Sequence, residues 1–328
     1  MSSCVRVGAL CLALVLAGAL GCRKPATAPE AAAPAQVTLA LNWVPEPEFG
    51  GFYAAREAGD FKQRGLDVEI LGGGAGSPVL QMVATGRAEF GTVGADELVM
   101  GQARGTDVVA VFATYQTSPQ GLMAHDARGI KSIGELFRGG TLALETGLPY
   151  AAFLKQKFSW QGVKVVPYDG GLARFLADPT FAQQCYVTSE PLAAKRKGGD
   201  PKVFLVADTG YNPYATVIVT RRALLRDKPA LVRAFVQASQ AGWRRYLDDP
   251  SATNVVLARL NPAMDAAAMT DASLAQKALI ETQGTKARGL GSMEHDRWNT
   301  LADQLLTLKL IEQRPKTEDL FADLTGSS

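Results

Sequence analysis

Short strand-like and helix-like patterns of apolar residues alternate along the chain from residue 36 to residue 220. In 37–41 the larger apolar residues alternate with Thr and Ala, and 108–114 is almost continuously apolar, which predicts strands. Between these runs lie segments with the apolar spacing of a helix, and several of them end at a glycine. Strands separated by single helices form βαβ units, so we expect parallel sheets.

This pattern is interrupted near residues 115–119, and a second series of strands and helices follows. From Pro229 onward the chain is mostly helical, beginning with the apolar period of residues 230–247. We therefore predict an α/β fold with two parallel-sheet lobes, which the chain crosses twice. Lobe I is expected over 37–116 and 220–328, and lobe II over 117–219.

The N-terminal residues have the features of an export signal, expected over 1–21. The apolar run 7–20 is too short to span a bilayer and follows the basic residue Arg6, as in a cleaved signal peptide. The small residues before Cys22 are similar to a bacterial lipoprotein cleavage site, although Ala19 stands where that pattern usually carries Leu. We expect a lipidated Cys22 and a flexible tether over 22–36, which is rich in Ala and Pro. The alternative is ordinary signal cleavage that leaves Cys22 unmodified.

Composition and charge argue against several classes of function. The 328 residues carry a net charge of only +2, which gives no electrostatic reason to bind nucleic acid. Once the signal is removed and Cys22 is lipidated, Cys185 is the one cysteine left, so no internal disulfide is expected. His125 and His295 lie far apart, without Cys or acidic residues at ligand spacing. We expect neither a metal site nor a cofactor.

The stretch 41–53 places polar and aromatic chemistry at the end of a predicted strand. Two prolines stop the strand, and a helix is predicted over 50–59. Trp43, Glu46 and Glu48 lie between them, at the kind of strand-to-helix corner where ligands bind in open α/β sheets. The alternative is that Trp43 packs in the core and the glutamates only face solvent.

Further candidates follow the ends of other predicted strands, which in parallel sheets open onto one cleft. Carboxylates and aromatic rings predominate among them, and they include no Lys or Arg. Such a pocket suits a ligand with N–H donors, or a cation over a ring, better than an anion. Each carboxylate can instead cap a helix, and Ser77 is expected to cap the helix that starts at Pro78. The glycine loop 72–76 is either a simple turn or a set of N–H groups for a ligand oxygen. The candidates are Gly74, Ser77, Asp96, Tyr115, Thr146, Glu190, Tyr211 and Tyr214.

Two segments resemble a known family. Residues 39–71, with Leu-Asn-Trp-x-Pro followed by Gly-Gly-Phe-Tyr-Ala-Ala-Arg-Glu-Ala-Gly-Asp-Phe, and the Tyr…Glu-Pro segment 186–191 are similar to solute-binding proteins of ABC importers. The resemblance is to the nitrate/sulfonate/thiamine-precursor type, and most of all to its thiamine pyrimidine precursor branch. It implies a type II periplasmic-binding fold, with solute held between two lobes whose closure signals to a membrane permease. By position, Trp43 would stack on the ligand ring and Glu190 would accept hydrogen bonds from its amino group.

The same resemblance implies a monomeric binding protein in the periplasm or on the outer cell surface, anchored to a membrane through Cys22. The chain departs from the pyrimidine-precursor binders at residues 45–49, where they more often have Asn and His. Riboflavin or another vitamin is therefore an alternative ligand, as is a sulfonate, nitrate or an aliphatic amine. Some eukaryotic members of the family synthesise the pyrimidine with a cysteine-rich metal segment and a histidine. This chain lacks that segment, so we expect no enzyme activity.

Overall fold

The computed structural model describes residues 33–326, in which strands and helices alternate before a helical C-terminal part. The strands are β1 (Ala35–Ala40), β2 (Leu66–Leu71), β3 (Phe90–Val93), β4 (Val108–Tyr115), β5 (Gln120–His125), β6 (Thr141–Leu144), β7 (Lys164–Pro167), β8 (Phe181–Tyr186), β9 (Pro201–Leu205) and β10 (Ala215–Arg221). The helices are α1 (Gly50–Glu57), α2 (Val79–Ala84), α3 (Ala95–Ala103), α4 (Pro149–Lys157), α5 (Ala173–Ala177), α6 (Glu190–Arg196), α7 (Arg222–Asp227), α8 (Pro229–Asp248), α9 (Ser251–Leu260), α10 (Ala266–Ile280), α11 (Gln283–Arg288), α12 (His295–Thr307) and α13 (Thr317–Leu320).

The strands form two five-stranded sheets, one in each lobe. The first has the order β2-β1-β3-β10-β4 and the second the order β7-β6-β8-β5-β9. Both sheets are mixed, which corrects the expectation of purely parallel sheets. In the first, β10 runs antiparallel to β3 and β4, and in the second, β5 runs antiparallel to β8 and β9.

The two antiparallel strands are those that enter a sheet directly from the other lobe. The start of β10 pairs with the end of β4, and the start of β5 pairs with the end of β8. The other strands therefore end at the side of the sheet that faces the second lobe. A strand that arrives from that side must run in the opposite direction.

Residues 116–119 and 210–214 are the two crossing segments, and hydrogen bonds tie them together. The Ser118 amide donates to Asn212 Oδ1 at 2.8 Å. The Arg297 guanidinium, from α12, donates to the carbonyl oxygens of Gln116 and Asn212. Because β10 lies in the first sheet, the second crossing ends at residue 214, ahead of the expected lobe boundary at 219–220.

Helix α1, which follows the corner at 41–49, is fixed by close packing on α8. A Cβ atom on Gly242 would lie 2.2 Å from the carbonyl oxygen of Gly51, so the two helix backbones touch there. A Cβ on Gly51 would in turn lie 2.2 Å from the Trp243 ring. This contact sets where the corner sits relative to the C-terminal helices.

The expected signal peptide, Cys22 and most of the tether lie outside the described residues. Strand β1 begins at Ala35, so the last two residues of the expected tether, 35 and 36, are paired with β2. Within residues 33–326, no helix has both the length and the apolar character needed to cross a membrane.

Candidate functional site

The corner at the end of β1 exposes its tryptophan and buries one of its glutamates. The Trp43 side chain is 42% exposed, so the interpretation of Trp43 as a core residue is wrong. Its carbonyl oxygen accepts a hydrogen bond from the Gly73 amide at 2.9 Å, which holds the corner against the loop after β2. Glu48, in a 3-10 turn over Pro47–Phe49, is only 9% exposed. The corner thus carries a partly exposed aromatic ring and a buried carboxyl.

A small cavity lies between the lobes at this corner. Its volume is about 10 Å³, room for a single water molecule, so a larger solute requires the lobes to separate. Both lobes and the C-terminal helices contribute to its wall. The lining residues are Glu46, Pro47, Glu48, Thr188, Ser189, Met264, Ala272 and Gln276.

Two carboxyls line this cavity, and a third, Glu190 of the other lobe, lies within electrostatic range of them. Burial, followed by the negative charge of Glu190, raises the pKa of Glu46 to about 7. Burial, followed by the charges of Glu46 and Glu190, raises the pKa of Glu48 well above its usual range. Within residues 33–326, neither the Glu46 nor the Glu48 side chain has a hydrogen-bond or ion-pair partner. These two groups are therefore available to a solute.

Glu190, the first residue of α6, is held in place. The Tyr168 hydroxyl donates to Glu190 Oε1 at 2.8 Å, and the Tyr186 amide donates to Oε2 at 2.8 Å. Burial raises the pKa of Glu190, while hydrogen bonds to the carboxylate, these two included, act to lower it. Its free lone pairs give it the acceptor capacity that the sequence indicated.

Tyr186 belongs to this site, although the sequence marked it only as part of the Tyr…Glu-Pro segment. Burial raises the pKa of its phenol, and the charges of Glu48, Asp96, Glu190 and Glu46 raise it further. The hydroxyl thus lies within electrostatic range of acidic groups from both lobes. Its position at the last residue of β8, where strands end at the cleft, is the sequence signal that could have identified it.

Helix α10 supplies a wall of the cavity that sequence reasoning did not find. Gln276 is fully buried; its Nε2 donates to the Pro47 carbonyl at 2.9 Å, and its Oε1 accepts from the Tyr115 hydroxyl at 2.6 Å. Tyr115 is also fully buried and does not line the cavity. It supports the corner through Gln276, and its ring is packed away from the cavity surface.

Tyr211 and Tyr214 are likewise packed and do not line the cavity. Both are at most 2% exposed. The Tyr211 hydroxyl donates to Asp96 Oδ2 at 3.1 Å. The Arg297 guanidinium carbon lies 3.8 Å from the centre of the Tyr214 ring, and the Tyr214 hydroxyl accepts from the Glu294 amide. Because they fill the second crossing segment, these rings belong to the hinge.

The remaining sequence candidates are not among the residues that line the cavity. Ser77 Oγ accepts from the Gly74 amide at 2.8 Å, which closes the glycine loop on itself. Ser77 does not cap α2, because the helix starts at Val79 and its capping position is Pro78. Thr146 is exposed in the loop after β6. Asp96 is near Tyr186, and burial raises its pKa while bonds from the Glu97 amide and the Tyr211 hydroxyl act to lower it.

Comparison with known proteins identifies a family model that matches this chain and several similar proteins. The model of the NMT1/THI5 like family matches residues 46–253. The chain is 26% identical to the riboflavin-binding protein RibY of Chloroflexus aurantiacus, over 91% of this chain and 90% of that protein. It is 21% identical to the formylaminopyrimidine-binding protein of Halalkalibacterium halodurans, over 88% and 90%. It is also 24% identical to a 4-amino-5-hydroxymethyl-2-methylpyrimidine phosphate synthase of Saccharomyces cerevisiae, over 66% and 68%.

The fold is shared with a solved structure of low sequence identity. The periplasmic aliphatic sulphonate binding protein of Escherichia coli superposes with a TM-score of 0.70 at 13% identity, over 90% of this chain and 94% of that one. This likeness confirms the predicted two-lobed fold of periplasmic binding proteins.

Proposed function

Because the chain belongs to the NMT1/THI5-like family, we propose that it is the solute-binding protein of an ABC importer. We propose further that it binds a small, nitrogen-rich heteroaromatic solute between its lobes. The observation that carries this proposal is the interlobe cavity, which Glu46 and Glu48 of one lobe line, within electrostatic range of Glu190 of the other lobe. Acceptor groups without a basic partner suit a solute that presents N–H donors.

Trp43 and Glu190 divide the recognition between them in this proposal. The exposed indole of Trp43 stacks on the solute ring, since aromatic faces attract through dispersion and offset stacking. The fixed carboxylate of Glu190 accepts hydrogen bonds from an amino group of the solute. The Tyr186 hydroxyl, close to the same carboxyls, adds a donor and an acceptor.

Two solute types fit the proposal, a thiamine pyrimidine precursor and riboflavin. The first is favoured by the resemblance of residues 39–71 and 186–191. Riboflavin is favoured by the similarity to RibY, which extends over 91% of this chain. A sulfonate or nitrate fits less well, since no Lys or Arg is among the residues that line the cavity.

A synthase is the second candidate, because pyrimidine phosphate synthases are among the relatives. The histidines of this chain do not converge on the cavity. His125 is bonded to Asp200 and to the Phe175 carbonyl in the second lobe, and His295 packs on Phe321. Within residues 33–326, no cluster of three or more His, Cys, Asp or Glu residues has the arrangement to hold a metal ion. Binding without turnover is therefore the better-supported function.

The cellular setting is part of the same proposal. A lipid on Cys22 anchors the protein to a membrane outside the cytoplasm, residues 23–34 act as the tether, and the closed lobes dock on a permease as a monomer. Mass spectrometry of the mature protein tests the anchor: an N-terminal peptide that starts at Cys22 with a diacylglyceryl group is expected. An unmodified Cys22 would remove the anchor from the proposal.

Isothermal titration tests the solute class directly. Riboflavin, 4-amino-5-hydroxymethyl-2-methylpyrimidine and taurine are titrated in turn, and one of the two heteroaromatic compounds is expected to bind and be recovered unchanged. Thermal shift serves as the first screen, because a ligand at 100 times its Kd adds about 2.7 kcal/mol to the free energy of unfolding. Binding of taurine alone would overturn the proposal, and chemical conversion of the solute would favour the synthase.

A further inference from the structure

We propose that Glu48 recognises the solute as a neutral carboxylic acid, so that the solute carries a hydrogen-bond acceptor next to an N–H donor. This inference deepens the proposed function and rests on it. It assigns Glu48 a role different from that of Glu190, which is held as an acceptor by Tyr168 and the Tyr186 amide. It also limits the solute to compounds whose ring carries an acceptor next to an N–H group, as a lactam or an amidine does.

The geometry around Glu48 disfavours a carboxylate. The side chain is nine-tenths buried, lines the interlobe cavity, and has no hydrogen-bond or ion-pair partner within residues 33–326. A buried charge without a partner is costly, and a carboxyl in this position takes up a proton instead. As the acid, it presents an O–H donor and a C=O acceptor side by side.

The negative charges near Glu48 act in the same direction. Glu46 comes from the same corner and Glu190 from α6, and the charge of each raises the pKa of Glu48. Tyr115 from β4 and Tyr186 from the end of β8 also lie within electrostatic range, but burial raises their own pKa values, so both phenols stay neutral and add no charge. Acidic neighbours favour the protonated form, and the cavity wall contains no Lys, Arg or His to oppose them. The neighbour from α10 is Gln276, which is neutral and already bonded to Pro47 and Tyr115.

A protonated carboxyl selects among solutes through the hydrogen bonds that it can form with them. It forms two parallel hydrogen bonds with an edge that has an acceptor beside an N–H, such as the C=O–NH edge of riboflavin or the ring nitrogen and amino group of an aminopyrimidine. A permanent cation would require the carboxylate, and an anion would be repelled by Glu46 and Glu190. Binding of the neutral edge therefore keeps the proton on Glu48.

The test measures the Kd of riboflavin and of 4-amino-5-hydroxymethyl-2-methylpyrimidine by titration calorimetry between about pH 5 and pH 9. For the compound that binds, the affinity of the wild type is expected to fall on the alkaline side, by up to about tenfold per pH unit above the governing pKa. Titrations in buffers of different ionisation enthalpy are expected to show proton uptake on that side. These two measurements need no variant.

Glu48→Gln keeps a donor and an acceptor but cannot ionise. Glu48→Gln is expected to bind the solute with a Kd within about threefold of the lowest wild-type Kd and to keep that Kd at alkaline pH. Glu48→Ala is expected to bind about tenfold or more weakly than the wild type at its best pH, at every pH tested. The matched control is Glu46→Gln, which removes the neighbouring charge and leaves the Glu48 proton. Its alkaline decline is expected to persist and to move to another pH.

If a heteroaromatic compound binds, the proposed function stands. Three results would then still overturn the inference about Glu48. They are an affinity that rises with pH, a Glu48→Gln variant as weak as Glu48→Ala, and a Glu46→Gln variant that loses the alkaline decline as fully as Glu48→Gln does. The last result would mean that general repulsion between the lobes causes the decline. If neither heteroaromatic compound binds the wild type at any pH, the proposed function fails as well.

Discussion

Trp43 is the residue at which a substitution best distinguishes an effect on solute binding from an effect on folding. An indole that is 42% exposed contributes little to the core, and the buried aromatic beside it is Phe49. We therefore expect Trp43→Ala to weaken solute binding by about 1 to 3 kcal/mol, or roughly fivefold to 150-fold, because the solute ring loses its stacking face. The melting temperature of the free protein should stay nearly constant. Calorimetric titration and thermal unfolding measure the two effects.

The control for Trp43→Ala is Val255→Ala, which truncates an exposed apolar side chain of α9. It is expected to leave both affinity and stability unchanged. Unchanged affinity in Trp43→Ala, together with a clear loss of stability, would show that the indole supports the fold instead.

Glu46 makes the stability of the ligand-free protein depend on pH. Its pKa is raised to about 7 by burial and by the charge of Glu190, so the folded state binds a proton more tightly than the unfolded chain does. A raised carboxyl pKa stabilises the folded state at low pH, and that contribution is lost as the pH rises through the folded pKa. Because of Glu46, we expect the melting temperature of the ligand-free protein to be higher near pH 6 than near pH 8.

The variant Glu46→Gln tests the source of this dependence. The amide cannot ionise, so the difference in melting temperature between the two pH values should shrink. The control Glu135→Gln changes a glutamate outside the cavity wall and should keep the wild-type difference. An equal difference in Glu46→Gln and the wild type would mean that Glu46 does not titrate in this range.

At the scale of elements, the contact between α1 and α8 positions the corner. The backbones touch at Gly51 and Gly242, where a new Cβ would lie 2.2 Å from a carbonyl oxygen. We expect Gly242→Ala to lower the free energy of unfolding by about 1 to 3 kcal/mol, because the helices must move apart. The affinity should fall as well, since α1 follows directly after Glu46 and Glu48. Urea unfolding and solute titration measure both.

Gln237→Ala is the matched control, because Gln237 is an exposed residue of the same helix. It should change the free energy of unfolding by no more than about 0.5 kcal/mol. A Gly242→Ala protein as stable as this control would show that α1 and α8 tolerate a wider spacing.

The local sequence pattern predicts most helices and strands, but it does not predict the features that depend on how the two lobes meet. The strands, the helix at 50–59 and the corner with Trp43 follow from periodicity and proline positions. The direction of β5 and β10 does not, because it depends on the side from which a strand enters its sheet. Similarly, Gln276 reads as one more polar residue of an amphipathic helix, and only the packing of α10 on the corner gives it a role. Tyr211 and Tyr214 stand at strand ends, yet neighbouring helices cover their rings.

At the scale of the whole molecule, an ion pair joins the two lobes across the cleft. Arg196 of α6 and Asp271 of α10 form an ion pair at 2.6 Å between the lobes, but both side chains are substantially exposed. Such a pair contributes about 0.2 to 1 kcal/mol and is screened by salt. This ion pair therefore adds little to the stability of the closed state, and a solute that binds the closed lobes more tightly than the open ones stabilises that state.

The hinge is tied by the Arg297 side chain, in addition to the hydrogen bond from the Ser118 amide to Asn212. Arg297 donates to main-chain carbonyls of both crossing segments, at Gln116, Asn212 and Pro213, and stacks on Tyr214. Lysine at this position cannot reach several carbonyls in a planar fork, so buried acceptors lose their partners. We expect Arg297→Lys to lower the free energy of unfolding by about 1 to 3 kcal/mol and to weaken the coupling between the lobes.

Small-angle X-ray scattering with and without solute measures the effect of Arg297→Lys on closure. The wild type should become more compact when it binds solute, and Arg297→Lys should show a larger radius without solute and a smaller affinity. Arg314→Lys, in an exposed ion pair with Asp303, serves as the control and should behave as the wild type does. If Arg297→Lys closes with unchanged affinity and radius, the crossing segments are held by their own hydrogen bond between Ser118 and Asn212. The hinge would then be set by the backbone of the two crossing segments and not by α12.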